Sequence, residues 1–141
     1  SITSILKIGT RTRYGLRALI EIATNGNNGG ILQKDISLHQ SLSNKYLDQI
    51  IHGLKSSGII ANVKGKKSGY RLNREAEKIT LLDVHNALEP GLFIVECLAP
   101  DCHCERADDC PAFDVWGDLN KMIIQYMKNH TLADVLQKKR L

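Results

Sequence analysis

The stretch SNKYLDQIIHGLKSSGIIANVKGKKSGYRL, residues 43–72, decides how this chain folds. Ser43 carries a hydroxyl that can accept from a free amide of a first helical turn, so it predicts a helix start, with the helix over 44–57. Leu47, Ile50, Ile51 and Leu54 recur at i, i+3, i+4 and i+7, which makes one buried stripe. Between them lie Asn44, Lys45, Asp48, Gln49 and His52, all polar and all expected outward. Gly58 stops the helix. Two apolar-rich runs follow, Ile59 to Val63 and Tyr70 to Leu72, joined by KGKKSG, and that pattern predicts a β-hairpin with a basic tip.

Upstream, residues 1–10 read as an extended arm. From Arg11, Tyr14, Leu16, Leu19, Ile20, Ile22 and Ala23 form an apolar face at helical spacing. NGNNGG, Asn25 to Gly30, ends that helix, since Asn and Gly tolerate the left-handed backbone of a C-terminal cap. Ile31 and Leu32 lead into a short helix, Gln33 to His39, expected to turn Ile36 and Leu38 or His39 inward. Helix, short helix, turn, polar-faced helix, basic hairpin is the order of a winged helix-turn-helix. The second helix of the pair would enter the major groove of DNA. Lys64, Lys66 and Lys67 on the wing would meet phosphate or a minor groove.

Charge supports that reading. Residues 1–80 hold 13 Lys and Arg against 5 Asp and Glu, whereas residues 81–141 hold 6 against 10. A basic front half points to a polyanion partner, because bound Lys and Arg displace counterions from phosphates. A hydrophobic fraction of 43% supports a folded core, and no run reaches the roughly 20 apolar residues of a membrane span. No export signal is read at the N-terminus, so the expected compartment is a reducing cytoplasm.

Downstream, Thr80-Leu81-Leu82-Asp83 is a capping pattern that opens a helix running to about Glu89. Phe113, Trp116, Leu119, Ile123, Tyr126 and Met127 form a stripe along a helix from Ala112 to about Asn129. So small a domain has little left to cover that stripe, and a second copy's identical helix is the expected cover, giving a two-fold homodimer. Thr131-Leu132-Ala133-Asp134 caps a last short helix. The fold class expected is therefore mainly α with a small β-hairpin wing: a winged helix-turn-helix plus a long C-terminal dimerisation helix. Its segments are 1–80 for DNA binding, 81–111 for a connecting helix and sensor loop, and 112–141 for dimerisation and the last short helix.

All four cysteines fall in one polar, proline-interrupted stretch: Cys97, Cys102, Cys104 and Cys110, spaced C-x4-C-x-C-x5-C. In a reducing compartment such a cluster points to metal binding or redox chemistry rather than a structural disulfide. Zinc would match the ligand count, although paired C-x2-C knuckles are absent. A metal-free thiol–disulfide switch is the other open reading. Catalysis is not expected: there is no C-x-x-C in a strand–helix setting and no convergent acid–base set.

The segments TRTRYGLRALIEIA, LSNKYLDQIIHGLKSSGII, VKGKKSGYRL, ITLLDVHNALE and TLADVL together resemble the Rrf-two superfamily of winged-helix transcriptional regulators, with its IscR, NsrR and CymR branches. The resemblance covers about Leu6 to Leu136. It implies a homodimer on a partly palindromic operator, with Lys45, Tyr46 and Gln49 where the family's recognition helix approaches DNA. Arg11, Arg13, Lys34, Asn44, Lys64, Lys66, Lys67, Ser68 and Tyr70 complete the expected DNA-contacting set. Asp48 stands where the cluster-biogenesis branch has an acidic residue that helps select between operator classes. The wing departs from that branch, with Lys64 in place of an arginine, which keeps charge but loses bidentate geometry toward guanine.

For the cysteine loop, the resemblance implies a two-iron or four-iron sulfur cluster on Cys97, Cys104 and Cys110, a C-x6-C-x5-C spacing close to that of cluster-binding members, with soft thiolate ligands. Phe113 stands where the cluster-biogenesis branch has its fourth ligand, a histidine. Arg13 stands where the nitric-oxide branch has a carboxylate. The fourth ligand is therefore open among Cys102, His103, Asp101, Glu105 and nothing from the protein, with Cys102 first on softness. Control by a partner protein without any metal is what the cysteine-metabolism branch would permit.

Overall fold

In the computed structural model, which describes residues 6–26, 29–65, 69–100 and 110–138, the first helix, α1, runs Thr10–Asn25. Ala18, Leu19 and Ile22 on its inner face are fully buried. A two-residue strand, β1 (Ile31–Leu32), then leads into α2 (Gln33–Gln40). Only Ile36 of α2 is buried. Leu38 is 75% exposed, which corrects the expectation that it points inward. The reason is geometric: two residues on a helix subtend about 200°, so Leu38 faces away from Ile36. His39 is also at the surface, paired with Glu21 of α1 at 3.0 Å.

The turn between α2 and α3 (Asn44–Ser56) passes through Ser41, held in the left-handed region at φ 55°. Arg17 of α1 secures that turn by donating to the Gln40 carbonyl and, at 3.1 Å, to the Gln40 side chain. Ser43 caps α3 by accepting from the Tyr46 amide at 3.2 Å. Leu47, Ile50, Ile51 and Leu54 are buried as their spacing demanded. Each such side chain contributes about 1.5–3 kcal/mol of burial energy.

The wing is β2 (Ile60–Asn62) against β3 (Gly69–Leu72), antiparallel, with Ile60 opposite Leu72 and Asn62 opposite Tyr70. The sheet has a third member: β1 pairs with the other edge of β3, Ile31 opposite Tyr70, so the order is β1-β3-β2. Thus β3 is the central strand, and the wing grows out of the core instead of hanging from it.

Past a short 3₁₀ turn (Ala76–Lys78), α4 runs Leu81–Leu88 behind a complete Thr80/Asp83 capping box. Two glycines let it pack close. A Cβ on Gly15 of α1 would lie 2.2 Å from Leu88 Cδ1, and one on Gly53 of α3 would lie 2.7 Å from the Ala87 carbonyl oxygen. A second 3₁₀ turn, Glu96–Leu98, precedes α5 (Pro111–Asn129), and α6 (Leu132–Leu136) ends the described chain. Here the chain returns to its beginning: Thr80 and Thr131 form an antiparallel bridge, and Leu132 is fully buried in the core shared with α1 and α3. No described helix is long and apolar enough to cross a membrane.

Candidate nucleic-acid interface and cysteine segment

The outward side of α3 carries Asn44, Lys45, Asp48, Gln49 and His52, all exposed, since the four apolar positions between them are taken by the core. Lys34 at the start of α2, Arg11 and Arg13 at the start of α1, and Lys64 before the wing tip are exposed as well. Several of these groups are held in place. Arg11 donates from Nη2 to Gln49 Oε1 at 2.9 Å, and Gln33 donates from Nε2 to Asp48 Oδ1 at 2.7 Å. Arg13 donates to the Ile8 carbonyl and the Thr10 hydroxyl, both at 3.1 Å, which ties down the arm ahead of α1.

Two of the expected contacts are less exposed than the other described ones. Tyr46 is half-buried, edge-on to Tyr14 with ring centroids 5.5 Å apart, so its ring braces α3 against α1. Tyr70 is buried at the base of the wing. Its partners explain why: the Lys55 ammonium lies 6.0 Å from the ring centroid, and Ile31 and Asn62 flank it across the sheet. Burial, then the Asp48 carboxylate, push its phenol above the ordinary value, against a hydrogen bond with Asn62. Lys66, Lys67 and Ser68 lie outside the described residues.

Of the cysteine array, Cys97 and Cys110 are described; Cys102 and Cys104 lie outside, as do Asp101, His103 and Glu105. Both described thiols are free and half-buried. Cys97 sits in the Glu96–Leu98 turn, and Cys110 is the residue immediately before α5, with its carbonyl accepting from the Phe113 amide at 3.0 Å. Among the described residues no three His, Cys, Asp or Glu side chains converge on one point.

The root of this segment is held by two residues that sequence reasoning did not single out. Asn120 of α5, 6% exposed, accepts from the Ile94 amide at 2.9 Å and donates to the Leu92 carbonyl at 3.0 Å. An Asn within an apolar helix stripe was the available signal. His85 of α4 is 3% exposed. Its Nε2 lies 2.6 Å from the Gly91 carbonyl, which can only accept, so Nε2 is the donor of that contact. Its Nδ1 faces the Thr12 hydroxyl at 2.9 Å and Glu89 Oε2 at 3.3 Å, and Thr12 also donates to Glu89 at 2.7 Å. One buried polar cluster therefore joins the entrance of the cysteine segment to the first turn of α1.

Along α5, Val115, Trp116, Leu119, Met122 and Tyr126 are exposed, Met122 at 69% and Tyr126 at 58%. Phe113 and Ile123 are half-buried, and Met127 is buried against its own chain. Ile123, Tyr126 and Met127 line, with Leu16 and Val84, an apolar groove of about 540 Å³ between α1, α4 and α5.

Comparison with known proteins places this geometry. A family model described as an iron-dependent transcriptional regulator, Rrf2, matches residues 8–138. Protein rrf2 of Nitratidesulfovibrio vulgaris is 36% identical over 94% of this chain and 88% of its own length. The solved structure of CymR, the global cysteine regulator of B. subtilis, superposes with a TM-score of 0.78 at 29% identity, covering 96% of this chain and all of that one. The structure of T. potens IscR gives 0.74 at 30% identity, over 96% of this chain and 94% of that one. With a winged helix-turn-helix bearing an exposed polar recognition helix, and a family match over nearly its whole length, the chain belongs to the Rrf2 family of DNA-binding transcriptional regulators, which are not enzymes.

Proposed function

We propose that the chain is a homodimeric regulator whose grip on its operator is set by an iron–sulfur cluster held between Cys97 and Cys110. The observation that carries this reading is the pair of free, half-buried thiols at the two rims of a segment containing the other two cysteines. As a donor set, four thiols within residues 97–110 suit iron and sulfide, because soft thiolates are their preferred protein ligands. Cys97, Cys104 and Cys110 would hold the cluster with Cys102 as candidate fourth ligand; when bound, it would supply a centre sensitive to oxidants and to iron supply. The chain's own residues do the rest. Asn120 fixes the approach to Cys97, and His85 ties Gly91 to Thr12 on the helix that carries Arg11. Segments 1–80, 81–111 and 112–141 then act as DNA reader, sensor and dimer arm.

For the dimer, support comes from the exposed apolar side of α5, which Trp116, Leu119, Met122 and Tyr126 form together. Set against the same side of a second copy, they would leave water, while Met127 stays with its own chain. A regulator of this kind would work in the cytoplasm, on double-stranded DNA.

The test is an absorption spectrum with iron, sulfide and zinc analysis on protein purified without oxygen. Visible bands with matched iron and sulfide are expected, lost on Cys97→Ala or Cys110→Ala while the fold survives. Zinc without colour would make the loop structural. Metal-free, colourless protein after attempted reconstitution would overturn cluster control. It would favour a second reading, thiol oxidation or a partner protein, toward which the likeness to a cysteine regulator points.

A further inference from the structure

Asp48 and Gln49 are consecutive, exposed residues of α3, and each is gripped by a side chain from a different helix. The grip on Gln49 has chemical direction. A guanidinium has donors only, so the amide atom 2.9 Å from Arg11 Nη2 must be the oxygen, and the end that remains free is the NH₂. An unrestrained glutamine can offer either end, and its bidentate contact with adenine uses both. With its oxygen aimed at Arg11, Gln49 presents a donor.

We propose that Arg11 is a specificity-determining positioning residue. It fixes Gln49 as a hydrogen-bond donor toward a base acceptor in the major groove, guanine O6 or N7, adenine N7 or thymine O4, and against the amino group of cytosine. This rests on the operator-reading role assigned to α3. Neighbouring Asp48 is set the opposite way. Gln33 occupies one of its oxygens, through a donor fixed by two pure acceptors, Asp48 at 2.7 Å and the Asn44 carbonyl at 3.3 Å. A donor and an acceptor thus stand side by side on the reading face, and their order is set by residues that themselves need not touch a base.

The experiment is selection of binding sites from a randomised DNA pool by the full chain, comparing wild type with Arg11→Met, Gln49→Ala, Gln49→Glu and the Arg11→Met/Gln49→Ala pair. Arg11→Met keeps the stem and removes the donors. The base pair read by Gln49 is the one whose preference collapses in Gln49→Ala. There, Arg11→Met should lower discrimination roughly 10-fold with other positions unchanged, and the double variant should lose no more than Gln49→Ala. Gln49→Glu, an acceptor on the same partner, should turn the preference toward a base with an amino group.

An Arg11→Met protein that loses affinity equally on every sequence, with a salt slope reduced by about one, would make Arg11 a phosphate contact and overturn the proposal. So would an unchanged preference in Gln49→Glu. Wild type with no sequence preference at all would instead overturn operator reading by α3, a separate and recognisable result.

Discussion

Replacing Thr12 by Val tests the buried cluster that joins the cysteine segment to α1. Val matches the shape of Thr and deletes only the hydroxyl. In the wild type that oxygen lies 2.9 Å from His85 Nδ1 and 2.7 Å from Glu89 Oε2, at a residue 6% exposed. Both partners lose a neighbour that water cannot readily replace. A hydrogen bond contributes about 1 kcal/mol net, and one to a charged group about 1.5–3 kcal/mol, so the loss should be about 2.5–4 kcal/mol. An unfolding entropy of about 2.1 cal/mol/K per residue gives about 0.3 kcal/mol/K for 141 residues, so Tm should fall by about 8–13 °C. Thr12→Ser retains the hydroxyl and should cost less than about 1 kcal/mol. Calorimetric or circular-dichroism melts of the three proteins read this directly. A Thr12→Val protein within about 0.5 kcal/mol of wild type would refute the assignment of His85 and Glu89 as dependent on this oxygen.

Three other outcomes are expected. Gly53→Ala should destabilise by about 1–2 kcal/mol, because the new Cβ meets backbone at Ala87, while Gly15→Ala meets only a movable Leu88 methyl and should cost less; equal melting temperatures would contradict the packing. Burial alone would raise the Glu21 carboxyl, but hydrogen bonds from His39, Gln40 and Asn25 outweigh it and hold the group below its ordinary value near 4.5. Its contribution is therefore present above that value and lost as pH falls through the lower folded one, so wild type should lose more stability than Glu21→Gln between about pH 6 and about pH 3 in urea titrations. Leu119→Arg with Met122→Glu should convert a two-fold assembly to monomers of intact secondary structure, as light scattering would show; an unchanged mass would remove α5 from the interface.

What could be read ahead of the structure was local. Ser43, Thr80 and Thr131 each announced a helix because a cap acts over three residues, and the Leu47–Leu54 stripe announced its buried face because helical periodicity is a property of the segment itself. What escaped was long-range. Two residues make β1, and nothing in Ile31–Leu32 says that its partner is Tyr70; only closure of the fold brings them together. The same closure buries Tyr70, a residue that the family resemblance put among the expected DNA contacts. Asn120 and His85 escaped for a related reason: each is satisfied by backbone or side chains far away in sequence, and an isolated polar residue carries no sign of its partner. The paired orientations of Gln49 and Asp48 belong to this class too, since both are imposed by helices other than their own.

The fastening of α5 has a consequence for the spacing of any palindrome it serves. This helix, about 28 Å long at 1.5 Å per residue, is stapled near its middle through Asn120 and anchored just past its end where Leu132 enters the core. It is a strut clamped at two points, one on the 92–94 segment and one in the core that α1 and α3 share. In a two-fold assembly built on α5, the separation of the two α3 helices would be a fixed length, and DNA would have to match it. One base pair inserted between half-sites turns the second by about 35° and shifts it by about 3.4 Å, a mismatch that a rigid arm passes on in full to the duplex as bending or unpaired contacts.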